Sequence, residues 1–257
     1  MNKVTTIFGI LCIFFLAGCI LNAGGPRNQS ATTPQDLNTT GLASDPIRQD
    51  GTQDGAQDTT SQQSGYHPAM LNPGLADKTA PDIYRVKFVT TKGDFILEVN
   101  REWAPNGADR FFNLVDIGYF KDIAIFRAVN GFMFQFGIHG DPAISRIWKD
   151  ANIRDDAAKG ISNLPGYISF ANAGPHTRSN QLFINLGNNA RLDSMGFTPF
   201  GNVVEGMEVI KKINTQYGEN ASQVQPNFQA KGNKYILDSF PNLDIIKSVE
   251  LVVAKED

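Results

Sequence analysis

The stretch Phe126–Gly137 reads Phe-Arg-Ala-Val-Asn-Gly-Phe-Met-Phe-Gln-Phe-Gly, so a single arginine stands among mostly apolar side chains. If residues 125–129 form a strand, successive side chains alternate between its faces, and Arg127 shares one face with Ile125 and Val129. A guanidinium on an apolar face is costly unless it has a partner or a function. Taken alone, the pattern also fits an arginine that extends to the surface and pairs with a carboxylate there.

The N-terminus has the pattern of a secretory signal. Residues 1–18 contain one early lysine and an apolar core that is too short and too weakly flanked for a membrane span. The sequence Leu-Ala-Gly that precedes Cys19 resembles the bacterial lipobox, in which the cysteine becomes the lipidated first residue of the mature protein. We therefore predict a lipoprotein signal peptide over residues 1–18 and a lipid anchor, such as palmitate, on Cys19. An ordinary signal with an incidental cysteine is the alternative.

The residue after the cysteine bears on location. This residue is Ile20. In the lipoproteins that the lipobox resembles, an aspartate at this position is a signal for retention in the inner membrane, so the resemblance implies no such retention here. We expect a lipid-anchored protein of the cell envelope. If the host has two membranes, we expect it in the outer membrane, on the periplasmic side or at the surface.

The composition changes after the cysteine. Polar residues, glycine and proline dominate up to residue 80, and no aromatic residue lies between Cys19 and Tyr66. Such a segment cannot bury enough apolar surface to offset its ordering entropy. We predict a disordered tether over residues 19–80 and one globular domain over residues 81–257.

Charge and composition exclude several classes of function. The formal net charge is −3 and no stripe of lysine or arginine is present, so nucleic acid is not an expected partner. Of the two cysteines, one lies inside the signal and the other is Cys19, which leaves no thiol for a disulfide or a metal. The three histidines are scattered, and we predict no metal site.

The domain has a mainly β pattern. Apolar and polar residues alternate or cluster in short runs between turn residues, at 84–90, 95–99, 125–129, 166–171, 181–185, 200–204 and 244–253. Helical periodicity begins at Ala104 and again at Met207. This order predicts an antiparallel barrel or sandwich whose ends are covered by two helices. Residues 216–241 exceed what a barrel needs and are predicted to be a loop folded onto it.

Five motifs in the domain resemble the cyclophilin-type peptidyl-prolyl isomerases, in the family's order and at nearly its spacings. They are residues 126–129, residues 131–135, residues 170–175, residues 179–184, and the pair 192–193 with 200–201. The resemblance implies an eight-stranded antiparallel barrel capped by two helices. It also implies rotamase activity on proline-containing polypeptide segments without a cofactor. We expect a monomer.

The resemblance further implies the site. Arg127 would be the catalytic arginine, and Gln135 would orient it through a hydrogen bond, without trapping it as a carboxylate would. The remaining candidates bind substrate: Phe132, Met133, Phe183, Leu192 and Phe197 as a proline pocket, and Ala171, Asn172, Ala173 and Gln181 along the peptide. The strand residues of this pocket also fit a plain barrel core, and Asn172 also fits a turn former.

Three positions depart from the family pattern. Phe126 stands where many members have histidine, and Phe197 replaces a histidine that often closes the pocket. Arg191 stands where the cyclosporin-sensitive branch has tryptophan. We predict weak cyclosporin binding, because Arg191 removes a flat indole contact.

Two functions remain open at this point. The first is a lipid-tethered prolyl isomerase that assists the folding of exported proteins. The second is a tethered module that binds proline-containing segments, as a chaperone or surface ligand, with incidental catalysis.

Overall fold

The computed structural model describes residues 65–252. The predicted signal peptide, Cys19 and the tether up to residue 64 lie outside the described residues, as do residues 253–257. Within residues 65–252, no helix has the length and apolar character needed to cross a bilayer.

In the described part of the chain, nine strands form one antiparallel sheet. They are β1 (Ile83–Thr90), β2 (Gly93–Asn100), β3 (Ile123–Ala124), β4 (Arg127–Val129), β5 (Met133–Phe136), β6 (Tyr167–Phe170), β7 (Leu182–Asn185), β8 (Gly201–Glu205) and β9 (Ile245–Leu251). The strand order is β3-β9-β1-β2-β8-β6-β7-β5-β4. Its two ends, β3 and β4, lie in one short segment, residues 123–129, with only Ile125 and Phe126 between them, so the sheet curls round on itself. Counting that segment once gives eight strands (nine less one), and the predicted mainly β barrel is confirmed.

The first hairpin shows why these residues form strands. Every second residue of β1 from Tyr84 is buried, and β2 buries Phe95 and alternate residues after it. Phe88 stacks on Phe95 with the ring centroids 4.5 Å apart. Gly93 turns the chain at a φ of +120°, which favours glycine. The strands predicted at 84–90 and 95–99 are therefore present, and they pair antiparallel as a hairpin.

The helices outnumber the two that were predicted. Within residues 65–252 they are α1 (Pro68–Leu71), α2 (Pro105–Asp116), α3 (Pro142–Trp148), α4 (Met207–Ile210), α5 (Asn220–Gln223) and α6 (Gln225–Ser239). The predicted pair corresponds to α2 and α4. Helix α3 has a start signal in the sequence, an aspartate followed by a proline. The Asp141 carboxylate accepts a hydrogen bond from the Ala143 N–H at 2.7 Å, and Pro142 is the first helical residue.

Residues 216–241, which we call the helical insertion, form α5 and α6 rather than a loop. The insertion packs on the barrel through its own apolar cluster, whose buried members are Ala124, Phe126, Ile138, Ala221, Phe228, Ile236 and Leu243. The rings of Phe126 and Phe228 meet edge to face, 6.1 Å between centroids. The unusual phenylalanine before the arginine, Phe126, thus contributes to this interface from the barrel side, together with Ala124 and Ile138.

A single glycine lets the insertion approach the barrel. Gly232 interrupts α6 with a φ of +71°, and a Cβ atom there would collide with the carbonyl oxygen of Gly140. The helix therefore bends where it crosses the loop before α3.

The folded domain begins earlier than the predicted boundary at residue 81. Residues 65–80 belong to the same compact unit as the barrel. Met70 is 3% exposed, and its carbonyl oxygen accepts a hydrogen bond from the Trp148 indole at 2.9 Å. The Asn113 side chain bonds both the N–H and the C=O of Lys78, at 3.0 and 2.7 Å. These contacts involve a few apolar residues and backbone groups. The mainly polar composition of residues 65–80 therefore gave no indication of them.

A chain that begins at Pro81 should be less stable than one that begins at Gly65. It loses the burial of Met70, worth about 1.5–3 kcal/mol, and leaves the Trp148 N–H without its partner, at a cost of about 1–3 kcal/mol. We expect the free energy of unfolding in urea to fall by about 2.5–6 kcal/mol in total. As a control, Leu75→Ala, at a side chain 56% exposed, should change it by less than about 0.5 kcal/mol. Equal urea midpoints for the two chains would show that residues 65–80 do not stabilise the domain.

Candidate active site

Strands β4 and β5 place the arginine beside its predicted partner. They pair antiparallel with Arg127 opposite Gln135 and Val129 opposite Met133. The Arg127 side chain is 7% exposed, and its Nη1 donates a hydrogen bond to Gln135 Oε1 at 3.1 Å. Gln135 Nε2 in turn donates to Gln181 Oε1 at 2.9 Å. Three predicted site residues therefore form one hydrogen-bonded row, which limits how the guanidinium can turn.

Arg127 was expected to share one strand face with Ile125 and Val129, and only Val129 lies near the predicted pocket. The chain leaves strand geometry between β3 and β4, so Ile125 packs in the main barrel core, whereas Val129 packs beside Met133, Phe183 and Leu192. This break separates the barrel core from the surroundings of the arginine.

A carboxylate that the sequence analysis did not identify also holds the arginine. Glu219, from the helical insertion, accepts hydrogen bonds from Arg127 Nε at 2.6 Å and from Nη2 at 2.8 Å. Gln135 hydrogen-bonds the guanidinium as predicted, and a carboxylate, which the family resemblance did not imply, holds it as well. Glu219 lies 92 residues from Arg127 in sequence, and no local pattern links the two.

The predicted proline-pocket residues come together in a cluster of their own. Its buried members are Met133, Phe183 and Leu192, and the half-buried side chains packed on them include Phe132, Ala171 and Phe197. The rings of Phe183 and Phe197 meet edge to face at 5.6 Å between centroids. This cluster is separate from the one that fills the barrel, so these residues are not part of the main barrel core.

Two guanidinium groups face the ring of Phe132. The Cζ atom of Arg127 lies 5.8 Å from the ring centroid, and that of Arg191 lies 4.9 Å from it. Such contacts are attractive, since the face of an aromatic ring is electron-rich. Arg191 is exposed and stands at the edge of the pocket. Weak cyclosporin binding stays a prediction.

The predicted peptide edge is accessible. Ala171 is half-buried and its N–H donates to the carbonyl oxygen of Gln181 at 2.9 Å, while Ala173 is exposed. The Asn172 side chain accepts from the Gly174 N–H at 3.3 Å, so it does form the turn that was considered as the alternative. The turn keeps this edge in place beside Gln181.

Buried asparagines support the pocket, and the sequence analysis did not identify them. Asn163, fully buried, donates to Asp193 at 2.8 Å and to the carbonyl oxygen of Phe197 at 2.8 Å. Asn189 donates to the carbonyl oxygen of Phe132 at 2.8 Å. Burial acts to raise the pKa of the Asp193 carboxyl, but hydrogen bonds from Ser162 and Asn163 together hold this pKa below its ordinary value.

The histidines in the described residues lie elsewhere. His139 Nδ1 accepts a hydrogen bond from the Asp141 N–H at 3.0 Å, and burial lowers the pKa of His139. His176 is 65% exposed and bonds Asp155. Among residues 65–252, no group of three or more His, Cys, Asp or Glu side chains is placed to hold a metal ion.

Comparison with known proteins agrees with this fold. The family model described as cyclophilin type peptidyl-prolyl cis-trans isomerase/CLD matches residues 85–232. Peptidyl-prolyl cis-trans isomerase A of Dickeya dadantii is 31% identical over 160 residues, covering 60% of this chain and 82% of that protein. Peptidyl-prolyl cis-trans isomerase B of Escherichia coli is 29% identical over 136 residues, 50% of this chain and 82% of that protein.

The chain therefore belongs to the cyclophilin-type peptidyl-prolyl cis-trans isomerase family. The crystal structure of a cyclophilin-type isomerase from Cryptosporidium parvum shares its fold, with a TM-score of 0.51 at 20% identity, over 66% of this chain and 98% of that one. Membership of this family supports isomerase activity on peptidyl-prolyl bonds, and the prediction that the protein is a peptidyl-prolyl cis-trans isomerase is confirmed.

Proposed function

We propose that this isomerase assists the folding of exported proteins by acting on their proline-containing segments, with Arg127 stabilising the twisted amide. The observation that carries the proposal is the placement of one guanidinium, 7% exposed, at the edge of a separate apolar cluster. The contact of Arg127 with the Phe132 ring joins the charge to the cluster.

The reaction sets a simple requirement. An X-Pro bond isomerises slowly because amide resonance imposes a barrier of about 18–20 kcal/mol. No covalent step is needed, since the catalyst has only to bind the twisted amide better than either planar form. On twisting, the proline nitrogen becomes pyramidal and gains a lone pair. A donor aimed at that nitrogen lowers the barrier.

The residues of the site match this requirement. The apolar side chains of Met133, Phe183 and Leu192 accept the proline ring and exclude water, which strengthens nearby electrostatic interactions. Arg127 supplies N–H donors in a rigid planar fork. The substrate backbone lies along Ala171–Ala173, where the chain is accessible.

The proposed location rests on the N-terminal sequence alone. The lipobox-like residues before Cys19 support lipidation, and the polar segment that follows supports a tether up to the folded part at Gly65. We place the enzyme at the cell envelope, in the outer membrane if the host has two membranes. Unfolded exported chains pass through this compartment with exposed X-Pro bonds.

Replacing the arginine should remove most of the activity. We expect Arg127→Ala to lower kcat/KM for a proline tetrapeptide by about 100-fold or more in a protease-coupled assay, because one transition-state donor group is lost. Arg85→Ala is the matched control, since Arg85 also pairs with a glutamate but on the exposed outside of the barrel. If Arg127→Ala stays within threefold of the unchanged chain, the arginine mechanism is excluded.

Replacing the lipobox cysteine should release the protein. We expect Cys19→Ala to move it from the membrane fraction to the soluble fraction of the envelope, because the acyl chains that hold it are absent. Cys12→Ala is the control, since Cys12 lies inside the predicted signal and should leave the distribution unchanged. A Cys19→Ala protein that still pellets with membranes would contradict lipid anchoring at this residue.

A further inference from the structure

The helical insertion brings a carboxylate to the reactive arginine in a fixed position. The N–H of Ala128, next to Arg127, donates to the carbonyl oxygen of Gly218 at 3.3 Å, and the two residues form an antiparallel bridge along β4. β4 is the last strand in the sheet order, so this bridge covers its free side. Glu219 follows Gly218 directly and therefore lies beside the arginine.

The position of Glu219 is anchored on its other side as well. The carbonyl oxygen of Glu219 accepts from Ser222 Oγ at 2.7 Å and from the Ser222 N–H at 3.1 Å. Ala221, between them, is fully buried in the cluster that contains Phe126 and Phe228. The backbone that carries the carboxylate is thus fixed by packing and hydrogen bonds.

The Arg127 guanidinium keeps N–H donors that Glu219 and Gln135 do not use. A guanidinium has five N–H groups. Glu219 takes one from Nε and one from Nη2, and Gln135 takes one from Nη1. One N–H on each terminal nitrogen remains for a substrate. The carboxylate therefore fixes the guanidinium plane without using all of its donors.

The electrostatics favour such a partner. The Arg127 side chain is 7% exposed, and a charge that buried is costly without an ionised or strongly polar partner. Gln135 offers one neutral acceptor. Glu219 offers two charged oxygens in the geometry that matches the guanidinium fork. Its own side chain is 46% exposed, so it keeps part of its hydration.

We propose that Glu219 is a positioning residue for the isomerase reaction, which holds the Arg127 guanidinium in the orientation that serves the twisted amide. This inference rests on the proposed role of Arg127. The helical insertion then has a function in the active site: it delivers Glu219. Prior orientation matters because a freely rotating arginine would have to lose its side-chain freedom at each turnover.

The test compares Glu219→Gln with the unchanged full chain, purified in detergent. Glutamine keeps the shape but loses the charge and one acceptor. We expect kcat for an Xaa-Pro peptide to fall about tenfold, with KM unchanged within about twofold because the apolar cluster still binds the ring. Glu98→Gln is the matched control, since Glu98 pairs with Arg85 Nε at 2.9 Å, away from the pocket, and should leave kcat unchanged.

A spectroscopic readout separates positioning from a purely structural role. In the unchanged chain, the Arg127 Nε–H resonance in a proton–nitrogen spectrum should be sharp and slow to exchange with water. In Glu219→Gln it should be broadened or lost, while the backbone amide resonances of the barrel stay in place. If Glu219→Gln fails to fold, Glu219→Asp decides the matter: its carboxylate is retracted by one methylene, and it should lower kcat and disturb the same resonance.

Three outcomes would overturn the proposal. An unchanged kcat in Glu219→Gln, with Arg127→Ala inactive, rejects positioning and leaves the arginine mechanism intact. A raised kcat in Glu219→Gln would show that Glu219 slows the reaction instead of supporting it. Full activity in Arg127→Ala would instead reject the arginine mechanism, and the role of Glu219 with it.

Discussion

The active site depends on the placement of one guanidinium that has little contact with water. Arg127 lies on the short strand β4, between the apolar cluster of the helical insertion and the apolar cluster of the predicted proline pocket. Gln135 and Glu219 both accept hydrogen bonds from its guanidinium. Without these partners, a side chain 7% exposed would turn toward solvent to regain hydration. The barrel, the pocket and the insertion each supply one part of the surroundings that prevent this.

The helical insertion packs against Phe126, the residue before the arginine, and this contact accounts for a phenylalanine at that position. Phe126 is fully buried, and it meets Phe228 of the insertion. A histidine at this position would place a polar ring against an apolar cluster and would need its own hydrogen-bond partner. This contact holds α6 against the barrel. Helix α5 packs in the same apolar cluster through Ala221, and it begins directly after Glu219. A substitution that looks like a loss of a family residue is therefore part of the support for the catalytic arginine.

Much of the fold could be predicted because its signals are local. The alternation from Tyr84 to Val99 and the turn at Gly93 specify a hairpin, and the motifs around Arg127 and Phe183 specify the family. The pairing of Arg127 with Glu219 could not be predicted, since it joins residues 92 positions apart and depends on how the insertion folds. Residues 65–80 were missed for a related reason: their anchors to Trp148 and Asn113 are mainly backbone groups, which composition does not reveal.

The most direct test of this account is a crystal structure of the protein with an Xaa-Pro peptide bound. We expect the proline ring to lie against Met133, Phe183 and Leu192, and a terminal nitrogen of Arg127 to lie within hydrogen-bond distance of the prolyl amide. The two hydrogen bonds from Arg127 to Glu219 should persist in the complex. A peptide bound away from this cluster, or an arginine that leaves Glu219 to reach the substrate, would contradict it.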